Sequence, residues 1–294
     1  MGFNKSLIKL LIRENKNRKF DSPVLTLGRQ CVYASVSDLR KIFLQEGQQC
    51  SHLPSELSLG TNIPNWEEGI KKNYTSDIVF FKLLGVKESY AADISHYEKP
   101  DFILDLNEPV PSNLKNRFGL IIDGGTMEHI FDIRKVLQNL TEMLKVGGRI
   151  IHLNPASNYI EHSLYQFSPG FYFGYYSANR FTSTKCYIME ILGNPATTQI
   201  KLYKTEGPNC NRPFLSSKKL CIFFCATKSE NSTFNETPYQ DVKGAHDENF
   251  HGEEKLKFQG VKKYIPLFLW KFVRRIIYWK YRKRDKCYKY VGKV

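Results

Sequence analysis

The chain lacks the marks of several protein classes. None of its seven cysteines (Cys31, Cys50, Cys186, Cys210, Cys221, Cys225 and Cys287) stands in a Cys-x-x-Cys pair, and their number is odd. Neither a disulfide framework nor a metal site is therefore expected, and the thiols should be reduced. At the start of the chain Lys5, Lys9 and Arg13 interrupt each apolar stretch before a secretory signal can develop, which points to a cytoplasmic protein. No internal repeat is visible. The last forty residues are poor in acid: 255–294 hold fourteen Lys or Arg and only Asp285 against them, a net of +13 out of +14 for the whole chain. Their apolar runs stop well short of the roughly 20 residues that span a bilayer.

The other 254 residues carry 29 basic and 28 acidic side chains and are close to neutral. With 294 residues, 41% of them hydrophobic and 14% aromatic, the chain has the material for one large α/β domain with appendages. Leu7, Ile8, Leu10, Leu11 and Ile12 give a leading helix that ends near Phe20. Val24 to Gly28 form an apolar run closed by glycine, the pattern of a buried parallel strand. Ser37 with Asp38 is expected to cap a helix through Phe43. Asn65 to Leu84 reads as one helix burying Trp66, Ile70, Ile78, Phe81 and Leu84, with Gly85 as its stop. Strands are expected over 89–94 and 102–107. The stretch 118–155 reads as strand (120–123), glycine turn, helix (132–145) and strand (149–153), a right-handed parallel βαβ unit. Beyond an aromatic stretch over 159–181, the runs 185–192 and 219–228 suggest an antiparallel hairpin that completes the sheet. Cys221 and Cys225 should share one side of its second strand.

The expected fold is thus a Rossmann-like, seven-stranded, mostly parallel sheet flanked by helices, with a basic amphipathic helical C-terminal tail. Its parts are a leading helix (1–20), the α/β domain (21–228), a polar linker (229–254) and the tail (255–294). In such a sheet, ligands bind beyond the carboxyl ends of the strands, where the strand order reverses. Those ends supply Gly28, Asp93, Asp105 with Asn107, and Asp123 with Gly124.

The succession LTLG (25–28), AADIS (91–95), LDLN (104–107), IIDGGTMEHIFD (121–132) and LKVGG (144–148) resembles the class I S-adenosylmethionine-dependent methyltransferases, over roughly 24–228. The resemblance implies S-adenosylmethionine as cofactor. It assigns the ribose hydroxyls to Asp93 with the adjoining Ile94, the adenine end to Asp105 and Leu106, and the methionine end to Asp123 and Gly124, with Gly28 in the first turn. His129, beside Glu128, becomes a candidate base or a residue shaping the pocket. His162, Tyr165 and Gln166 become candidates for the acceptor site. One departure is plain: Gly28 is followed by Arg29, Gln30, Cys31, Val32 and Tyr33, whereas the family places three spaced glycines there.

Each residue also has a plainer reading. Asp93 and Asp105 serve equally as cap or turn acids, Asp123-Gly124-Gly125 as a tight turn, and His129 as a structural histidine. Glu128 can balance a helix dipole, and the aromatics at 165–176 can be core and lid packing. The functional expectation is a methyltransferase acting on a small molecule or a cell-envelope sugar or lipid precursor. The alternative is a catalytically inactive methyltransferase-like module recruited to a membrane. Residues 261–286, in which Trp270, Phe272, Ile276 and Trp279 mix with Lys271, Arg274 and Arg275, suit an anionic membrane surface. They show no base-reading motif, so a nucleic-acid partner is not expected. A nicotinamide-linked oxidoreductase would need the glycine turn to hold pyrophosphate, and the sequence lacks it.

Overall fold

The computed structural model describes residues 2–55, 57–193, 199–205, 214–239, 269 and 288–294. The elements in chain order are α1 (Lys5–Asn17), β1 (Val24–Leu27), α2 (Val36–Gln45), α3 (Glu67–Lys71), α4 (Asp77–Leu83), β2 (Ser89–Asp93), β3 (Phe102–Ile103), β4 (Phe118–Asp123), α5 (Ile133–Met143), β5 (Leu144–Ser157), α6 (Pro169–Ala178), β6 (Thr182–Leu192), β7 (Gln199–Thr205), β8 (Leu220–Thr227) and β9 (Tyr288–Lys293). One sheet holds all the strands in the order β3-β2-β1-β4-β5-β8-β6-β7-β9. β1 to β5 run parallel, and each remaining neighbour pair is antiparallel. The parallel half has the 3-2-1-4-5 order of a doubly wound α/β fold, so its switch point lies between β1 and β4.

Strand alternation sends side chains to two cores. Leu120, Ile122, Ile151, Leu153, Cys221, Phe223 and Cys225 join one core with α1, α2 and α4. Ile121, Ile150, Ile222 and Phe224 join the other with α5 and α6. The leading helix is part of the first core, where Ile8, Leu11 and Ile12 are fully buried, and Asn4 caps it by accepting from Leu7 N.

Several expectations change. The sheet has nine strands where seven were read, because 199–205 and 288–293 add β7 and β9. The runs at 185–192 and 219–228 do pair antiparallel, but they are not a hairpin. β7 follows β6, and β8 returns to the inner position between β5 and β6, where all eight of its residues are buried. The helix read over 65–84 is two: Asn73 at φ +52° ends the first, and Ser76 starts the second by accepting from Val79 N. Ile70 is consequently exposed. β3 stops at Ile103, since Asp105 accepts from Asn107 N and turns the chain. The cap of α2 is Ser35, in a reciprocal box with Asp38, two residues before the expected Ser37. The tail ends as a strand at 288–293. The expected amphipathic membrane-facing helix of 261–286 lies, apart from residue 269, outside the described residues, as does the linker beyond 239. No helix among the described residues is long and apolar enough to cross a membrane.

Phe224 of β8 is fully buried, stacked between the rings of Tyr172 and Tyr176 at centroid distances of 5.2 and 5.3 Å. Phe224→Ala should therefore cost about 3–5 kcal/mol, read as a fall in the denaturant midpoint with an unchanged slope.

Candidate active site

A hollow of about 250 Å³ opens at the switch point, lined by Gly28 after β1, Asp93 at the end of β2, Thr126 after β4, and Gln30, Tyr33 and Glu98 among others. Gly28 takes φ +71°, and a Cβ there would come within 3.4 Å of Asp93 Oδ2. The turn therefore requires glycine, although the rest of the loop does not follow the expected pattern. Asp93 Oδ1 accepts from Ser95 N at 2.8 Å, while Oδ2 has no hydrogen bond among the described residues. Glu98 also lines the hollow, its carboxyl pushed up first by burial and then by Asp93. Burial and the nearby Glu98 push the Cys31 thiol up to about 11, so it stays protonated.

The polar loop is rigidly tied down. Arg29 donates to Asp101 Oδ2 at 2.7 Å, and its guanidinium lies 3.9 Å from the buried Asp77, whose own carboxyl burial pushes up. Gln30 N donates to Asp77 Oδ2, and Gln30 Nε2 donates to Leu27 O and Gly28 O. This turns the Gln30 side chain onto Gly124: a Cβ on Gly124 would stand 2.4 Å from Gln30 Oε1. Gln30 Oε1 is itself buried without a hydrogen-bond partner.

Behind this loop lies a buried polar network that the sequence reading did not assemble. Asp123, fully buried at the end of β4, accepts from Thr126 N (3.0 Å) and Met127 N (3.2 Å) on Oδ1. Its Oδ2 is 2.9 Å from His152 Nδ1 and 2.8 Å from Asn154 Nδ2. His152 Nε2 meets the Tyr176 hydroxyl at 2.6 Å, which assigns Nδ1–H as donor to Asp123 and the tyrosine O–H as donor to Nε2. Tyr172 OH donates to Asn154 Oδ1, and Asn154 Nδ2 also donates to Glu128 Oε2 at 2.9 Å. Burial works against the Asp123 carboxylate, but the hydrogen bonds from His152, the Thr126 amide and Asn154 outweigh it and hold the group below the usual range. For Glu128 burial wins, with the Asp123 charge second, and its carboxyl rises to about 7.

The structure brings some of the expected residues together and separates others. Gly28 and Asp93 share the hollow, and Ile94 beside them is exposed. Asp105 is exposed and occupied by Asn107, and Leu106 is in the core with its carbonyl accepting from Asn139 Nδ2. Asp123 faces the inner network and Gly124 lies under Gln30. His129 and His162 meet, with ring centroids 5.4 Å apart, and burial lowers the basicity of both. Tyr165 N donates to Glu128 O and Tyr165 OH to Phe131 O, docking this segment onto the turn. Gln166 Oε1 is spent on Tyr159 N. The reading missed Gln30, Glu98 and Thr126, and it missed His152 and Asn154. The last two were detectable as polar residues at alternate positions of an otherwise apolar strand.

Because Asp123 has both oxygens committed, Asp123→Ala strands His152 and Asn154 and should cost about 3–5 kcal/mol in chemical unfolding. The raised Glu128 carboxyl means that the folded chain holds its proton more tightly than the unfolded one. The corresponding stability is present at low pH and lost as pH rises from about 4.5 through about 7. Glu128→Gln keeps the neutral shape, so denaturant midpoints at about pH 5 and pH 8 should differ less in the variant than in the wild type.

No protein-family model matches the chain, and no curated protein matches it. Among solved structures it is similar to an S-adenosylmethionine-dependent methyltransferase of Archaeoglobus fulgidus, at 12% identity over 76% of this chain and 95% of that one, with a TM-score of 0.38. It is similar also to the Burkholderia thailandensis 1,6-didemethyltoxoflavin-N1-methyltransferase, solved with S-adenosylhomocysteine bound, at 13% identity over 77% and 78% of the two chains and a TM-score of 0.35. A third is the carbon methyltransferase domain of the citrinin polyketide synthase, at 10% identity over 77% and 52%, with a TM-score of 0.38. The doubly wound fold rests on the strand order itself.

Proposed function

We propose that the chain binds S-adenosylmethionine in the hollow beside Gly28 and transfers its methyl group to a small-molecule acceptor. The observation that carries this reading is an acidic hollow at the switch point of a doubly wound sheet, with one Asp93 oxygen left without a partner. Two carboxylates, Asp93 and Glu98, suit a ligand that offers hydroxyl donors at one end and a positive charge at the other. The cofactor would supply an electrophilic methyl group on a sulfonium centre. Asp93 would hold the ribose hydroxyls, and Gly28 would let backbone approach. Glu98, nearer the hollow than Asp105, would take the second acidic role.

The fit is good at the ribose end and tight at the methionine end, where Gln30 covers Gly124. Passage of a ligand along β4 requires that side chain to turn away. The acceptor side would be formed by His129, His162 and Tyr165, joined to Thr126 of the hollow through the turn in which His129 N donates to Thr126 O. His129, the candidate base, would take a proton from the acceptor there. A second reading, a methyltransferase-like module that binds a ligand without transferring methyl, is favoured by the same Gln30 contact and by the Arg29 ties that hold the loop in place.

Isothermal titration with S-adenosylmethionine and S-adenosylhomocysteine tests both readings. Asp93→Ala removes a carboxylate from the ribose hydroxyls and should weaken binding about ten- to a hundredfold. Gln30→Gly, which uncovers Gly124, should strengthen it. Failure of the wild type and of Gln30→Gly to bind either compound at millimolar concentration would end the cofactor assignment. Binding without transfer to any tested acceptor would favour the second reading.

A further inference from the structure

Glu128, His129 and His162 lie at one end of the buried network, where the fold changes from fully dry to open. The ligating atoms of the three side chains, one carboxylate oxygen and one nitrogen from each imidazole, all fall within 4.8 Å of one another. Glu128 is fully buried, and both histidines are exposed. The carboxylate is oriented from behind: Asn154 Nδ2 donates to Oε2, and Asn154 is itself held by Asp123 and by the Tyr172 hydroxyl. The other oxygen, Oε1, is buried with no hydrogen-bond partner. No Lys or Arg among the described residues pairs with it.

An unsatisfied buried carboxylate oxygen is costly, and the carboxylate that carries it stands within reach of two exposed imidazoles. We propose that Glu128, His129 and His162 form a binding site for one divalent first-row transition ion. Two imidazoles and one carboxylate are the donor set of such ions, and they leave coordination positions open towards solvent. Bonds of about 2.0–2.1 Å in tetrahedral geometry place ligand atoms roughly 3.3 Å apart. The three groups must therefore close by at most about 1.5 Å, a movement within reach of exposed imidazoles turning about their side-chain bonds while Glu128 stays fixed. The Asn154 and Asp123 contacts act as the outer shell that holds a ligating carboxylate in place. An acceptor oxygen could take an open position, and an ion there would replace His129 as the means of removing its proton. The site itself does not depend on methyl transfer.

The test uses the full chain, stripped with a chelator and titrated with Co²⁺ in visible absorption and with Zn²⁺ in calorimetry. One equivalent should bind, with d–d bands and without the near-ultraviolet charge-transfer band that marks thiolate ligands. His162→Ala, a surface change that leaves the network intact, should weaken binding on the order of a hundredfold or more, and Glu128→Gln should do the same. Circular dichroism checks that each variant is folded, and His162→Ala decides alone if Glu128→Gln is not. No binding at millimolar Co²⁺, a thiolate band, or wild-type affinity in His162→Ala would overturn the proposal. None of these readouts involves the cofactor, so the two assignments fail separately.

Discussion

The arrangement depends on keeping one carboxylate charged in a place that water does not reach. Asp123 ends the central parallel strand β4 with no exposed surface, and taking such a group out of water costs several kcal/mol unless donors replace the hydration shell. Four donors do so: two backbone amides of the following turn, His152 Nδ1 and Asn154 Nδ2. Each donor fixes something else. The amides shape the turn that delivers Glu128 and His129, while His152 and Asn154 reach on to Tyr176 and Tyr172 of α6. A single charge therefore locks β4, β5, the turn and a helix into one unit.

That commitment divides the acids of the sheet edge into two groups. Asp123 looks inward, where its role is to organise side chains. Asp93 and Glu98 line the hollow on the other side. Gln30 stands between the two regions, anchored by carbonyls on one side and pressed on Gly124 on the other. The departure from a glycine-rich loop is thus built in. Arg29 fastens the loop to Asp101 and Lys99 across the sheet edge, which gives the segment a rigidity that glycines would not. Such a loop fills the space beside Gly124 at the end of β4, while the hollow opens beside Asp93 at the end of β2.

At the far end of the network the environment reverses. Asn154 passes its second hydrogen bond to Glu128, whose remaining oxygen has no donor. A network satisfied throughout its interior thus ends on one unsatisfied atom at the boundary with solvent. Buried polar networks are usually complete, and Glu128 Oε1 is the atom at which this one is left open.

The parallel half of the fold was legible because its signals are local. The apolar runs at 24–27 and 120–123, the spacing of Val136, Leu137 and Leu140 along α5, and glycines placed after strands each follow from the chemistry of neighbouring residues. The acids at strand ends were legible as a set, but not which of them line the hollow. That distinction depends on His152 and Asn154 lying opposite Asp123 on the adjacent strand, some thirty residues away in sequence. Likewise Tyr288–Lys293 reads locally as part of a basic tail, and only its pairing with β7 makes it a strand. Residue order determined the elements and the sheet edge at which a site could form. Tertiary packing alone decided which carboxylates are spent inside and which remain open, because desolvation and partner geometry are properties of the assembled fold.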